Sequence, residues 1–93
     1  MPYILQNRRD VVDDAVDNVI AALKSLPESE KMRIGDTNYV VTRIILGMFP
    51  ANSYTEIGNG LRVLTDAEAE IRRRKMASRE NEAISENGDI KGF

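Results

Sequence analysis

Apolar positions recur with a helical period over most of the chain. From Arg8 to about Ser25, Val12, Val16, Val19, Ile20 and Leu23 fall at i, i+4, i+7, i+8 and i+11, on one stripe. Asp10, Asp13, Asp14, Asp17 and Asn18 take the other faces. Asn7 can cap such a helix, because its side-chain oxygen can accept from the free amides of the first turn. Asp10 then lies in the favourable half of the helix dipole. Leu26-Pro27 ends the helix, and Pro27 opens a polar connection that runs to Asp36. Asp36 or Thr37 is the expected cap of the next element.

The most apolar run follows, from Asn38 to Phe49, and the rest of the chain is organised around it. Its β-branched residues suit a strand. At period two, however, Thr42 and Arg43 would put a polar residue on both faces. At period 3.6, Val41, Ile44, Ile45 and Met48 form a stripe with Thr42 and Arg43 beside it, so helix is the preferred assignment. Phe49-Pro50 stops it, since proline disfavours helix at the residue before it. A buried Arg43 in a bundle would need a carboxylate, and Asp14 or Asp17 could supply one.

Ser53-Tyr54-Thr55-Glu56 has the spacing of a capping box, in which Ser and Glu satisfy each other's backbone amides. The helix it starts carries Tyr54, Ile57, Leu61, Leu64 and Ile71 on one stripe and should reach Met76 or beyond. Gly58 and Gly60 each disfavour helix by about 1 kcal/mol relative to Ala, which close approach of another backbone would explain; the alternative is a local break that starts the regular helix near Leu61. Beyond Ala77 the apolar pattern thins. Ser78 could start a short charged helix, and Asn87-Gly88-Asp89 signals a turn. At the other end, Tyr3, Ile4 and Leu5 follow Pro2 as a short extended arm.

These elements predict an all-α, three-helix bundle-like domain over residues 1–77, with an extended N-terminal arm, and a charged, partly mobile C-terminal tail over residues 78–93. The central helix is expected to pack between the other two. Ninety-three residues can bury only a modest core, and association with further copies is a common way to add buried surface.

Composition removes several chemistries. The chain has no cysteine and no histidine, so it lacks thiol chemistry and both the commonest general base and the commonest transition-metal ligand. A formal net charge of −2 and a sequence pI near 5.1 give no global attraction to nucleic acid or anionic membrane. The apolar runs are shorter than the roughly 20 residues a spanning helix needs. No basic-then-apolar leader opens the chain. The expected location is the cytoplasm.

Two charged clusters remain. Asp10, Asp14 and Asp17 share one side of the first helix, as in all-α nucleoside-triphosphate pyrophosphohydrolases that hold Mg²⁺ on helical acid pairs. Those enzymes need a second acidic pair on a facing helix, and Asn38 to Phe49 contains no acid. A solvated face is therefore preferred to a metal site. Arg72-Arg73-Arg74-Lys75 could bind a phosphate through Arg72 and Arg73, with Tyr39 and Arg43 as further ligand candidates. Glu70, Glu80 and Glu82 dilute that patch. No catalytic set assembles and no cofactor is implied.

Met1-Pro2-Tyr3-Ile4 resembles the start of the tautomerase superfamily, whose processed terminal proline is a base, but the likeness covers four residues and the superfamily needs a β-α-β unit. A longer resemblance rests on three anchors in order: Met1-Pro2-Tyr3-Ile4, Asn38-Tyr39-Val40-Val41-Thr42-Arg43, and Glu86-Asn87-Gly88-Asp89-Ile90. It is to a family of small proteins found mainly in bacteriophages and their hosts, with no established activity. The chain departs from that family at Ile71-Arg72-Arg73-Arg74, where aromatic residues flank the family's arginines. The resemblance implies a host-directed or ligand-sequestering protein, such as an anti-defence protein, rather than a metabolic enzyme. The expected function is thus a non-enzymatic interaction protein, homo-oligomeric through helices one and three and the arm Tyr3, Ile4 and Leu5, with a host protein as partner. The alternatives are a nucleotide-sequestering protein using Arg72, Arg73 and Tyr39, and a Mg²⁺-dependent hydrolase on Asp10, Asp14 and Asp17.

Overall fold

The structure is a computed structural model that describes residues 2–27 and 29–93, with the backbone alone at residue 30. It is all-α: α1 spans Gln6–Ser25, α2 Glu30–Met48, α3 Tyr54–Ile71 and α4 Ala77–Asn87, with a π-helical stretch Arg72–Met76 joining α3 to α4. No strand occurs among the described residues, so the helical period and not the β-branched content decided the central stretch. The chain divides into two units, Tyr3–Gly60 and Leu61–Phe93, the second of which includes Pro2.

In the first unit α1 packs against α2. On α1 the predicted stripe is the better covered side, with Val12, Val19 and Ile20 at 39–44% exposure against 78% for Val11. Asn7 is not the cap. Helix α1 begins at Gln6 with Leu5 at the N-cap position and no side-chain cap, and Asn7 lies within the first turn. Gln6 contributes instead by donating from Nε2 to Asp10 Oδ1 at 2.9 Å, a bond between residues one turn apart. Lys24 in the last turn complements the dipole, and Leu26 and Pro27 leave the helix as expected.

Helix α2 starts two turns earlier than Asp36 or Thr37 would have placed it. Ser29 is the N-cap, its hydroxyl accepting from the Met32 amide at 3.3 Å. Asp36 and Thr37 are helix-interior, and the Thr37 hydroxyl donates to the Arg33 carbonyl at 2.7 Å. Gly35 is helical too, and most of the expected polar connection is two polar turns of helix. The helix ends at the Phe49 cap, whose amide donates to the Ile45 carbonyl at 2.8 Å. Pro50 then prevents continuation. Ala51 turns the chain with φ at 65°, a left-handed conformation that disfavours an L-residue by roughly 1–2 kcal/mol.

The central helix is not a buried axis. Val40, Val41, Ile45 and Phe49 are half-buried, whereas Tyr39, Ile44, Leu46 and Met48 are exposed. Of the predicted stripe, Val41 and Ile45 face cover and Ile44 and Met48 do not. Gly60 is the one buried residue among those described. A Cβ built there would stand 2.8 Å from Ile45 Cγ2 and 3.6 Å from Phe49 Cβ. The close approach at Gly60 is thus made by side chains and not by the backbone expected, and Gly58 has open space around it; α3 runs through both glycines without a break.

Helix α3 opens on the Ser53 cap. The Ser53 hydroxyl accepts from the Glu56 amide at 3.2 Å, while Glu56 Oε2 accepts from the Asn52 amide at 2.8 Å. The reciprocal bond reaches one residue further back than the standard box, to the amide before the cap. In the second unit the helical path does not re-cap at Ser78. Met76 precedes α4 in right-handed helical conformation with no side-chain cap, and the π-helical turn carries the chain through. Residues Ala77–Asn87 of the expected tail are thus helical. Gly88, with φ at 86°, ends α4 by donating to the Ile84 carbonyl at 2.8 Å.

The two glycines of α3 should respond oppositely to alanine. Gly60→Ala pushes a methyl group against a β-branched side chain near its own backbone, and is expected to lower unfolding stability by about 1–3 kcal/mol. Gly58→Ala meets nothing and should raise it by up to about 1 kcal/mol through helix propensity. Urea denaturation followed by circular dichroism measures both; equal effects would contradict the contact at Gly60.

Candidate interaction surface

An open concave feature of the Tyr3–Gly60 unit lies between α1 and α2. Helix α1 contributes Val19, Ala22 and Leu23, at i, i+3 and i+4, and Leu26 follows at its C-cap. Helix α2 contributes Asp36, Tyr39, Val40, Arg43 and Ile44, at i, i+3, i+4, i+7 and i+8. Each set is one helix stripe, so the two stripes diverge from the line where the helices touch and leave an open groove of about 600 Å³. Its walls are apolar. Its charges are one carboxylate and one guanidinium, both on α2 and two turns apart, or about 10 Å along the axis at 1.5 Å per residue. Among the described residues neither Asp36 nor Arg43 takes part in an ion pair. A smaller groove on the same hairpin, about 200 Å³, is lined by Ile20, Leu23, Lys24, Arg33, Asp36 and Thr37.

Two of the predicted ligand residues, Tyr39 and Arg43, thus line this groove, and both are exposed. Arg43 is not the buried, paired arginine that a closed bundle would require. It makes no ion pair with Asp14 or Asp17, because the helix carries it to the open side of α2, where water solvates the guanidinium. Asp36 escaped notice as a surface residue because it was assigned to a helix cap. Continuing the helical period back through Gly35 would have placed it on the same stripe as Tyr39 and Arg43.

Arg72 and Arg73 belong to the Leu61–Phe93 unit, on the π-helical stretch. Arg72 Nε donates to Glu68 Oε1 at 2.9 Å, and its Nη1 approaches the Met76 sulfur at 3.5 Å. Arg73 donates to both carboxylate oxygens of Glu70, from Nε to Oε2 at 3.4 Å and from Nη2 to Oε1. Arg62 pairs with Asp66 at 3.7 Å. Each of these carboxylates lies three or four residues before or after its arginine, the spacing at which helix neighbours meet. A phosphate at Arg72 and Arg73 would have to displace Glu68 and Glu70. Glu68 was the missed partner, and its i, i+4 spacing to Arg72 was the available signal.

Asp10, Asp14 and Asp17 run along α1, all exposed. Among the described residues no group of three or more acidic side chains gathers in a way that could hold a metal ion. Tyr3, Ile4 and Leu5 precede α1 in irregular backbone with their side chains exposed, and Arg9 Nε holds the Ile4 carbonyl at 3.1 Å. No helix among the described residues is long and apolar enough to cross a membrane.

Fold and surface together define a small all-α domain with an open apolar groove. Residues 1–90 match DUF6899, a domain of unknown function, and the chain belongs to that family. No curated protein and no solved structure matches the chain.

The arginine pairs are exposed and should contribute little. Arg72→Ala and Arg73→Ala are each expected to lower stability by about 0.2–0.5 kcal/mol at low ionic strength. The effect should shrink in high salt, where exposed charges are screened. Denaturant titration at two salt concentrations checks this, and a salt-independent loss above that range would point to a role beyond local pairing.

Proposed function

We propose that this protein is a non-enzymatic interaction protein that self-associates and, as an oligomer, binds a host protein. The observation that carries this reading is that no apolar side chain among the described residues is fully buried, while α1 and α2 line an open apolar groove with seven of their uncharged residues, Val19, Ala22, Leu23, Leu26, Tyr39, Val40 and Ile44. Chain ordering opposes folding by about 1–2 kcal/mol per residue, and apolar burial is the main term that offsets it. Apolar side chains gathered in an open groove form the kind of surface that a partner covers. The exposed arm residues Tyr3, Ile4 and Leu5 would add to a contact with a neighbouring copy. That the cellular partner is a host protein rests on the resemblance of the three sequence anchors to phage-borne proteins.

The nucleotide-sequestering alternative has weaker support. Arg72 and Arg73 already hold Glu68 and Glu70, and Tyr39 and Arg43 belong to the other unit. The hydrolase alternative lacks a gathered acidic group among the described residues.

Multi-angle light scattering at micromolar concentration is expected to return at least twice the chain mass of 10.4 kDa. Leu23→Glu, which places a charge on the groove wall, should shift the protein toward monomer. A wild-type mass of one chain would overturn the self-association reading. A melting temperature raised by a nucleotide, and no longer raised in Arg72→Ala/Arg73→Ala, would favour the sequestering alternative.

A further inference from the structure

Helix α2 presents Asp36 and Arg43 seven residues apart on the stripe that lines the groove, with Tyr39 and Val40 between them. Opposite charges placed symmetrically about an apolar centre match themselves. A two-fold axis through the midpoint of Tyr39 and Val40 turns α2 antiparallel to a second α2. Residue numbers that face one another across that axis sum to a constant, so Asp36 meets Arg43 of the second copy and Arg43 meets its Asp36. We infer that the groove is the site of an isologous dimer contact in which α2 of one copy lies antiparallel against α2 of the other, centred on Tyr39 and Val40. This rests on the self-association reading above and specifies its surface and register.

Three further features fit that occupant. The same axis sets Gly47 opposite Met32 of the second copy. Among the described residues nothing beyond its own stretch of helix lies within 4 Å of where a Cβ at Gly47 would stand, so no contact among them accounts for a residue that disfavours helix by about 1 kcal/mol. Met32 is an exposed, flexible side chain suited to fill that gap. Second, Asp36 and Arg43 lack ion-pair partners among the described residues and are free to take partners from another chain. Third, the groove has walls on both helices. An entering α2 would cover Val19, Ala22, Leu23 and Leu26 of α1 as well as its counterpart, completing a four-helix arrangement in which both stripes are buried. A parallel pairing is disfavoured, because it would set Asp36 against Asp36 and Arg43 against Arg43.

Charge reversal tests the register. In Asp36→Arg both cross-pairs become Arg–Arg, and in Arg43→Asp both become Asp–Asp. Each single variant, checked for helicity by circular dichroism, should self-associate about 10–100-fold more weakly than the wild type in sedimentation velocity at low salt. The double variant Asp36→Arg/Arg43→Asp should recover the wild-type association. An equimolar mixture of the two single variants should form a mixed dimer, because one copy supplies two arginines and the other two aspartates. Single variants as tightly associated as the wild type would overturn this contact while leaving self-association in place. Weakened singles with neither form of rescue would also overturn it, placing the effect of Asp36 within its own chain beside Lys24 and Arg33. A wild-type chain that stays monomeric would overturn both this contact and the reading it rests on.

Discussion

An amphipathic helix is stable in water only when its apolar stripe lies against something. Two helices can cover each other along one line of contact, and each of α1 and α2 carries a stripe wider than that line. Val19, Ala22, Leu23 and Leu26 on one side and Tyr39, Val40 and Ile44 on the other are what remains after the two have met. The groove is therefore a consequence of patterning and not an incidental gap. Its floor is apolar because both helices needed that face for folding.

The other side of α2 explains the arrangement of the corner that follows. Ile45 and Phe49 are half-buried, and Gly60 of α3 approaches them so closely that no Cβ could be accommodated without movement. Pro50 forbids further helix, and Ala51 takes the left-handed backbone that redirects the chain. Ser53 and Glu56 then satisfy the exposed amides at the start of α3. Four short-range devices thus deliver one glycine to one contact. Helix α2 has a covered side and a groove side, and the residues of chemical interest, Asp36 and Arg43, lie on the groove side.

Beyond Gly60 the chemistry is local. The arginines that looked like an anion site pair with carboxylates one turn away, at distances set by the helix itself. Such pairs exist in any helix of this sequence and need no tertiary partner. They neutralise part of the cluster at little energetic consequence, since exposed pairs contribute only tenths of a kcal/mol. The helical path continues through four consecutive cations as a π-helical turn, with no new side-chain cap.

Much of this protein could be read from its residues. The helical period identified α1, α2 and α3 and resolved the β-branched centre in favour of helix, because Thr42 and Arg43 fit one stripe boundary and no strand face. The end at Phe49-Pro50, the Ser53 cap and the turn at Gly88 follow from backbone chemistry that operates within a few residues. The start of α2 was missed because its first turns carry no clear apolar stripe, although Lys31, Met32 and Arg33 are good helix formers and Ser29 caps them. What only the tertiary structure decided is which apolar residues are covered. Periodicity places Val41, Ile44, Ile45 and Met48 on one stripe, but whether a neighbour reaches Ile45 and leaves Ile44 open depends on where another helix lies. The difference between Gly58 and Gly60, identical in local sequence character, has the same origin, since a close contact is a property of two elements and is written in neither alone.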